Sequence, residues 1–216
     1  MPSNFFITIF EGSNNMNVLS LQSSISGNAS VTRSLSAAYI AQIRARHGAI
    51  DVIEHDLVAQ AFPHLSGEMV PVTLGMPHQP SAASILSDRL ITELEQSDII
   101  VFGAPMYNFG VPTTIKAWFD HVMRVGRTFR YADGAPVGLL PGGKKAIVFV
   151  ASGGVYSNGP GQKIDFMEPH VRWMLQFIGI TDVTFVRAEG LAYGPDTAQA
   201  ASSNALAQAK ELALAA

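Results

Sequence analysis

Residues 98–120 read DIIVFGAPMYNFGVPTTIKAWFD, and the fold follows from them. Ile99, Ile100, Val101 and Phe102 form a continuous apolar run behind an acidic residue, the pattern of a strand covered on both faces. The run breaks at Gly103-Ala104-Pro105 and passes through Met106-Tyr107-Asn108-Phe109-Gly110. A helix then starts at Val111-Pro112-Thr113-Thr114, where proline suits the first turn because its missing N–H would be unpaired anyway. Ile115, Trp118, Phe119, Val122 and Met123 recur at spacings of three and four and mark one apolar face. A loop between strand end and helix start is where open α/β sheets bind ligands. This loop offers flat side chains, an amide and backbone N–H groups, which suit a flat, polar-edged heterocycle better than an ion.

Outward from this stretch, strand and helix patterns alternate. Residues 17–21 read as the first strand and residues 31–47 as a helix with Leu35, Ala38, Tyr39 and Ile43 on one face, closed by Gly48. Residues 50–55 read as a second strand. Residues 57–79 hold three prolines and two glycines without a clear period and read as a long loop with at most a helical turn. Leu86, Leu90 and Leu94 align on a helix over residues 81–96. Beyond the central unit, residues 126–131 and 134–143 form an irregular excursion, with residues 128–131 as an edge strand. Residues 146–150 and 183–186 supply the fourth and fifth core strands. A helix opening at Pro169 lies between them, and an alanine-rich helix, frayed at its end, runs over 195–216. This β-α alternation predicts a parallel sheet with helices on both faces, in the flavodoxin-like strand order 2-1-3-4-5. Residues 1–15 read as an N-terminal extension, with an apolar run at 5–10 too short for a signal-peptide core, and residues 16–216 as a single domain.

Composition narrows the function. A chain of 216 residues with 48% hydrophobic content can fill a full α/β core. Only 14% of residues are charged, which points to surface buried in an oligomer. The net charge is −3 without a basic run, which argues against nucleic acid. Cysteine is absent, excluding disulfides, thiolate catalysis and Cys-ligated metals, and a cytoplasmic setting fits. No apolar run approaches the roughly 20 residues of a membrane helix. The six histidines show no metal-ligand spacing, so no metal is expected; His121 reads as a surface or interface residue. Lys116 and Asp120 are spaced for a surface pair.

Three loops meet at the carboxyl end of such a sheet. Ser24, Ser30, Thr32 and Ser34 lie beside a helix start, where hydroxyls, free N–H groups and the dipole make a phosphate site. Read alone, the same residues are a serine-rich cap. Met106, Tyr107, Asn108 and Phe109 offer a ring site, or alone a set of core aromatics. Ser152-Gly153-Gly154 lets backbone approach a ligand, or alone is an ordinary turn. Neither GxxxxGK[ST] nor GxGxxG is present, against nucleotide hydrolysis and dinucleotide binding. Together the three loops describe a mononucleotide carrying a large heterocycle.

On these residues the chain resembles the FMN-dependent NADH-azoreductases, the NAD(P)H:quinone oxidoreductases of flavodoxin-like fold. The supporting segments are APMYNFGVPTTIKAWFD, TFRYADGAPVGLLPGGKKAIVFVASGG, FIGITDVTFV and AEGLAYGP. The resemblance implies one FMN per subunit, with its phosphate at Ser24, Ser30, Val31 and Thr32. It implies an isoalloxazine lined by Met106, Tyr107, Asn108 and Phe109, with Ala151, Ser152, Gly153 and Gly154 at its other edge. Tyr131 and Phe177 match aromatic positions of the substrate pocket, across a homodimer interface. The implied reaction is ping-pong, two-electron reduction of quinones and azo compounds by NADH or NADPH. Flavin N5 carries the chemistry and no side chain is catalytic. Two departures stand out: Ala151-Ser152 replaces the Ser-Arg of many members, and Val31 replaces a glutamine of some.

Three other readings use the same fold. An electron carrier without a small-molecule acceptor wants a strongly acidic docking face, which −3 does not offer. A phospho-receiver needs acidic strand ends, whereas the first strand ends in Gln22-Ser23-Ser24 and the third in Ala104-Pro105. A flavin-free interaction protein would ignore added FMN.

Overall fold

In the computed structural model, which describes residues 15–215, five parallel strands form one sheet in the order β2-β1-β3-β6-β7. Along the chain the elements are β1 (Met16–Gln22), α1 (Val31–His47), β2 (Ile50–Asp56), α2 (Leu57–Gln60), α3 (Met69–Thr73), α4 (Ala82–Gln96), β3 (Ile99–Pro105) and α5 (Thr113–Val122). They continue as β4 (Phe129–Ala132), β5 (Ala135–Gly138), β6 (Lys145–Ala151), α6 (Glu168–Phe177), β7 (Asp182–Ala188) and α7 (Pro195–Ala215). Counting only sheet strands, this is the flavodoxin-like order, with the chain reversing direction between β1 and β3. The N-terminal extension, apart from Asn15, lies outside the described residues.

The period-two rule of strands sorts the core into two layers. Leu19, Leu21, Ile100, Phe102, Ala146, Val148 and Val150 join α4, α5 and α6 on one face. Val18, Ile99, Val101, Ile147, Phe149 and Val186 meet α1 and α7 on the other. All seven residues of β3 are buried, as the central strand of a doubly covered sheet should be. Phe102 anchors the first layer, stacked on Phe119 at 5.8 Å and edge-on to Trp118 at 5.7 Å. Each such side chain contributes about 1.5–3 kcal/mol by leaving water. On the second layer Ala205, Ala209 and Ala213 are wholly buried, so α7 is packed through its last turns and not frayed as expected.

Elsewhere local detail departs from expectation. Pro112 (φ −54°, ψ 139°) is the residue before the first turn of α5 and not within it. Residues 57–79 contain two short helices, α2 and α3, whose lengths are below what a helical period can reveal. The 128–131 segment does not edge the sheet: β4 pairs antiparallel with β5 in a separate two-stranded hairpin. Asp133-Gly134 turns it, with φ of 52° and 78°. Gly138 holds the hairpin to the end of α6, because a Cβ there would collide with the backbone of Ile178 and Gly179. His121 is buried, not superficial, and Pro63 O accepts a hydrogen bond from its Nε2 at 2.9 Å. His55 and Glu93, also buried, meet at 2.6 Å and tie β2 to α4. Lys116 and Asp120 form the expected i,i+4 pair at 2.5 Å.

Candidate functional site

At the carboxyl end of the sheet, between β1 and β3, lies an open cavity of about 290 Å³. Its walls are Ser24, Ser26, Ala29, Ser30, Val31, Pro105, Met106, Tyr107, Ala151, Ser152, Gly153 and Leu191. Three loops of distant sequence position thus converge, one after each of β1, β3 and β6. The wall contains no charged side chain, so an anion entering it meets no carboxylate.

The β1 loop ends at Ser30, which caps α1: its Oγ accepts the Arg33 N–H at 3.2 Å and lies 3.1 Å from Thr32 Oγ1. Ser24, Ser30 and Thr32 are all buried. The N–H groups of Val31 and Thr32 belong to the first turn of a seventeen-residue helix and have no intrahelical acceptor. That turn is a ready anion site. Arg33 braces the loop from behind, donating to Ser24 O at 3.2 Å and pairing with Asp56 at 2.9 Å. The Arg33 hydrogen bond holds the Asp56 carboxyl below its ordinary range, with help from the N–H groups of Ala59 and Val58.

The β3 loop is a two-residue turn. Tyr107 and Gly110 exchange backbone hydrogen bonds at 3.2 and 3.0 Å, and Asn108 and Phe109 between them have φ of 48° and 68°. Positive φ at both central positions is the type I′ pattern, ordinary for asparagine and strained for phenylalanine. The turn leaves Asn108 exposed and Phe109 47% exposed. Tyr107 joins this loop to the first, its Oη accepting the Ile25 N–H at 3.1 Å.

The β6 loop is backed by the chain after β7. Ser152, Gly153 and Gly154 carbonyls accept from Leu191, Ala192 and Gly190 at 3.0–3.1 Å. Ser152 Oγ donates to Gly154 O at 2.8 Å. Among the described residues no acceptor takes the N–H of Gly153 or Gly154, which leaves both available to a ligand.

Of the fourteen site residues that the resemblance implies, eight line the cavity: Ser24, Ser30, Val31, Met106, Tyr107, Ala151, Ser152 and Gly153, whereas Ser34 does not. Thr32, Asn108, Phe109 and Gly154 adjoin it in the chain without lining it. Tyr131 and Phe177 sit apart, in an aromatic cluster of β4 and α6. Phe177 lies 4.6 Å from Phe129, and 6.4 Å from both Tyr131 and Trp173. Tyr131 is 64% and Trp173 60% exposed, so this cluster faces outward. Ser26, Ala29, Pro105 and Leu191 line the cavity without having been singled out. Leu191 had a signal, lying in AEGLAYGP, but nothing in its residue type pointed to a cavity.

Comparisons with known proteins agree with this fold. The family model described as flavodoxin-like fold matches residues 16–213. The FMN-dependent NADH:quinone oxidoreductase of Ralstonia nicotianae is 47% identical over 186 residues, 84% of this chain and 89% of its own. That of Herminiimonas arsenicoxydans is 45% identical over 184 residues, 83% and 89% of the two chains. Among solved structures, an azoreductase from Bacillus anthracis superposes with a TM-score of 0.83 at 29% identity, covering 92% of this chain and 98% of its own. With matches of this extent on fold and sequence, the chain belongs to the FMN-dependent NADH:quinone oxidoreductase family of flavodoxin-like proteins.

Proposed function

We propose that the protein is an FMN-dependent NADH:quinone oxidoreductase that also cleaves aromatic azo compounds. The observation that carries this is the uncharged cavity at the β1/β3 switch point. It joins a capped helix N-terminus, the start of an aromatic turn and the free N–H of Gly153. Relatives of this family are named for FMN, NADH and quinone, and the neighbouring fold for azo reduction.

The residues fit FMN. Ser24, Ser30 and Thr32 hydroxyls with the Val31 and Thr32 N–H groups would hold its phosphate, using dipole and hydrogen bonds where no cation lines the wall. Met106, Tyr107 and Phe109 would supply apolar surface to the ring system, and the Asn108 amide a polar edge. Ala151, Ser152, Gly153 and Gly154 would close the far edge, with two backbone donors. When bound, FMN supplies two-electron transfer between a reduced nicotinamide and the acceptor. The chain's own part is to bind, orient and shield; no side chain at the cavity is an acid, base or nucleophile by position.

Residues 16–216 act in this reading as one FMN-binding domain, preceded by an extension at 1–15. The working unit is a homodimer in which Tyr131 and Phe177 complete the acceptor pocket of the partner copy. Support comes from the outward aromatic cluster and the low charged content, 14%. The chain works in the cytoplasm, where reduced nicotinamide is at hand, and has no cysteine. Among the described residues no helix is long and apolar enough to cross a membrane.

The test is titration with FMN followed by turnover with NADH or NADPH on a benzoquinone and an azo dye. One FMN per chain, and a kcat/KM higher for the quinone, is expected. A preparation that ignores FMN would leave only a binding protein on this fold.

A further inference from the structure

Glu189 lines no part of the cavity, yet its carboxylate accepts three hydrogen bonds from the loop that does. It follows β7 directly. Its Oε1 accepts the N–H of Tyr156 at 2.7 Å and of Ser157 at 2.9 Å, and its Oε2 accepts the Ser157 hydroxyl at 2.5 Å. Backbone donors on a carboxylate make charge-assisted bonds, stronger than neutral ones. The next three residues, Gly190, Leu191 and Ala192, pair with the carbonyls of Gly154, Ser152 and Gly153. Glu189 therefore extends this pairing from the near end of the β6 loop to its far side.

The held residues reach the aromatic turn. The Tyr156 ring packs on Gly154, where an added Cβ would meet it at 3.2 Å, and stands edge-on to Phe109 at 6.2 Å. Phe109 O accepts the Phe166 N–H at 3.1 Å from the end of the same loop. Phe109 needs such support because its φ of 68° is unfavourable for a bulky side chain. Strained backbone persists where its surroundings over-determine it. One of the contacts that do so, the Tyr156 ring, comes from the residues that Glu189 fixes.

We propose that Glu189 is a positioning residue, whose carboxylate fixes Tyr156 and Ser157 and through Tyr156 braces the Tyr107–Gly110 turn for the FMN ring. This rests on the FMN reading above. The competing description is a staple confined to the β6 loop, without effect on the turn.

Glu189→Ala removes the acceptor. Glu189→Gln keeps an acceptor for the two N–H groups and offers a donor to the Ser157 oxygen, so it preserves the geometry without the charge. The experiment measures amide hydrogen exchange of the FMN-free proteins, then FMN affinity by fluorescence titration, then quinone KM and kcat. For E189A the proposal expects faster exchange at Tyr156, Ser157 and Gly110, with β1 and β3 unchanged. It expects FMN Kd to rise by about tenfold, the scale of losing charge-assisted hydrogen bonds. Quinone KM should rise more than kcat falls, and E189Q should hold FMN Kd within about threefold of wild type. Faster exchange at Tyr156 and Ser157 with Gly110 unaltered, or an unchanged FMN Kd in E189A, would overturn it. If the wild type binds no FMN, the functional reading fails and takes the FMN clause with it. Exchange at Gly110 then still decides whether Glu189 braces the turn.

Discussion

Ser30 serves two purposes that a single substitution can separate. It caps α1 and stands in the wall of the cavity. Aspartate caps a helix about as well as serine, so Ser30→Asp should change stability by less than about 1 kcal/mol. Its charge, however, opposes a phosphate at the same turn. The expected outcome is a melting temperature near wild type with FMN binding lost by titration; retained binding would place the phosphate elsewhere. Asp56 gives a pH test of the brace behind that loop. Arg33 lowers its pKa below the ordinary 3.8. The stability from this pair is therefore complete above that value and fades as pH falls through the lowered one. Asp56→Asn should flatten part of the acid limb of melting temperature against pH. The effect should be small, because the Asp56 side chain is 39% exposed and solvent screens the pair. An acid limb identical to wild type would show that the pair contributes nothing.

At the scale of elements, the hairpin of β4 and β5 is the part that depends on one residue. Gly138→Ala would push a methyl into the backbone of Ile178 and Gly179 at the end of α6. Overpacking of this kind costs about 1–3 kcal/mol. Gly142→Ala is the control, since nothing lies within 4 Å of a Cβ there. Thermal melts should show a clear loss for G138A and little for G142A; equal effects would contradict the account. The hairpin also shows where sequence reading stops. The sheet strands were legible because burial on two faces demands continuous apolar runs such as residues 99–102. The hairpin carries exposed residues in FRYA and APVG and is fixed by contact with α6, forty residues on. No local pattern announces that. Likewise Ser30 and Tyr107 stood out by their place beside strand ends, whereas the backbone of Phe109 and the clamp of Glu189 depend on partners distant in sequence.

For the whole molecule, the outward aromatic cluster is the feature a lone chain does not explain. Tyr131 and Trp173 are each at least 60% exposed, and both lie 6.4 Å from Phe177. Exposed apolar surface of this kind marks an interaction site. Sedimentation equilibrium should give a dimer for the wild type and a shift toward monomer for Trp173→Asp, with loss of quinone turnover. A monomeric wild type with full activity would contradict the proposed assembly.

The central claim is that the cavity holds FMN and passes two electrons from a nicotinamide to a quinone. Its most direct test is anaerobic: load the protein with FMN, add NADH or NADPH, follow the flavin absorbance, then add a quinone. The account predicts rapid bleaching by NADH and full recovery in one two-electron step. Tight FMN binding without bleaching by either donor would contradict it. That result would favour an electron carrier and direct attention to Ala151-Ser152 in the cavity wall.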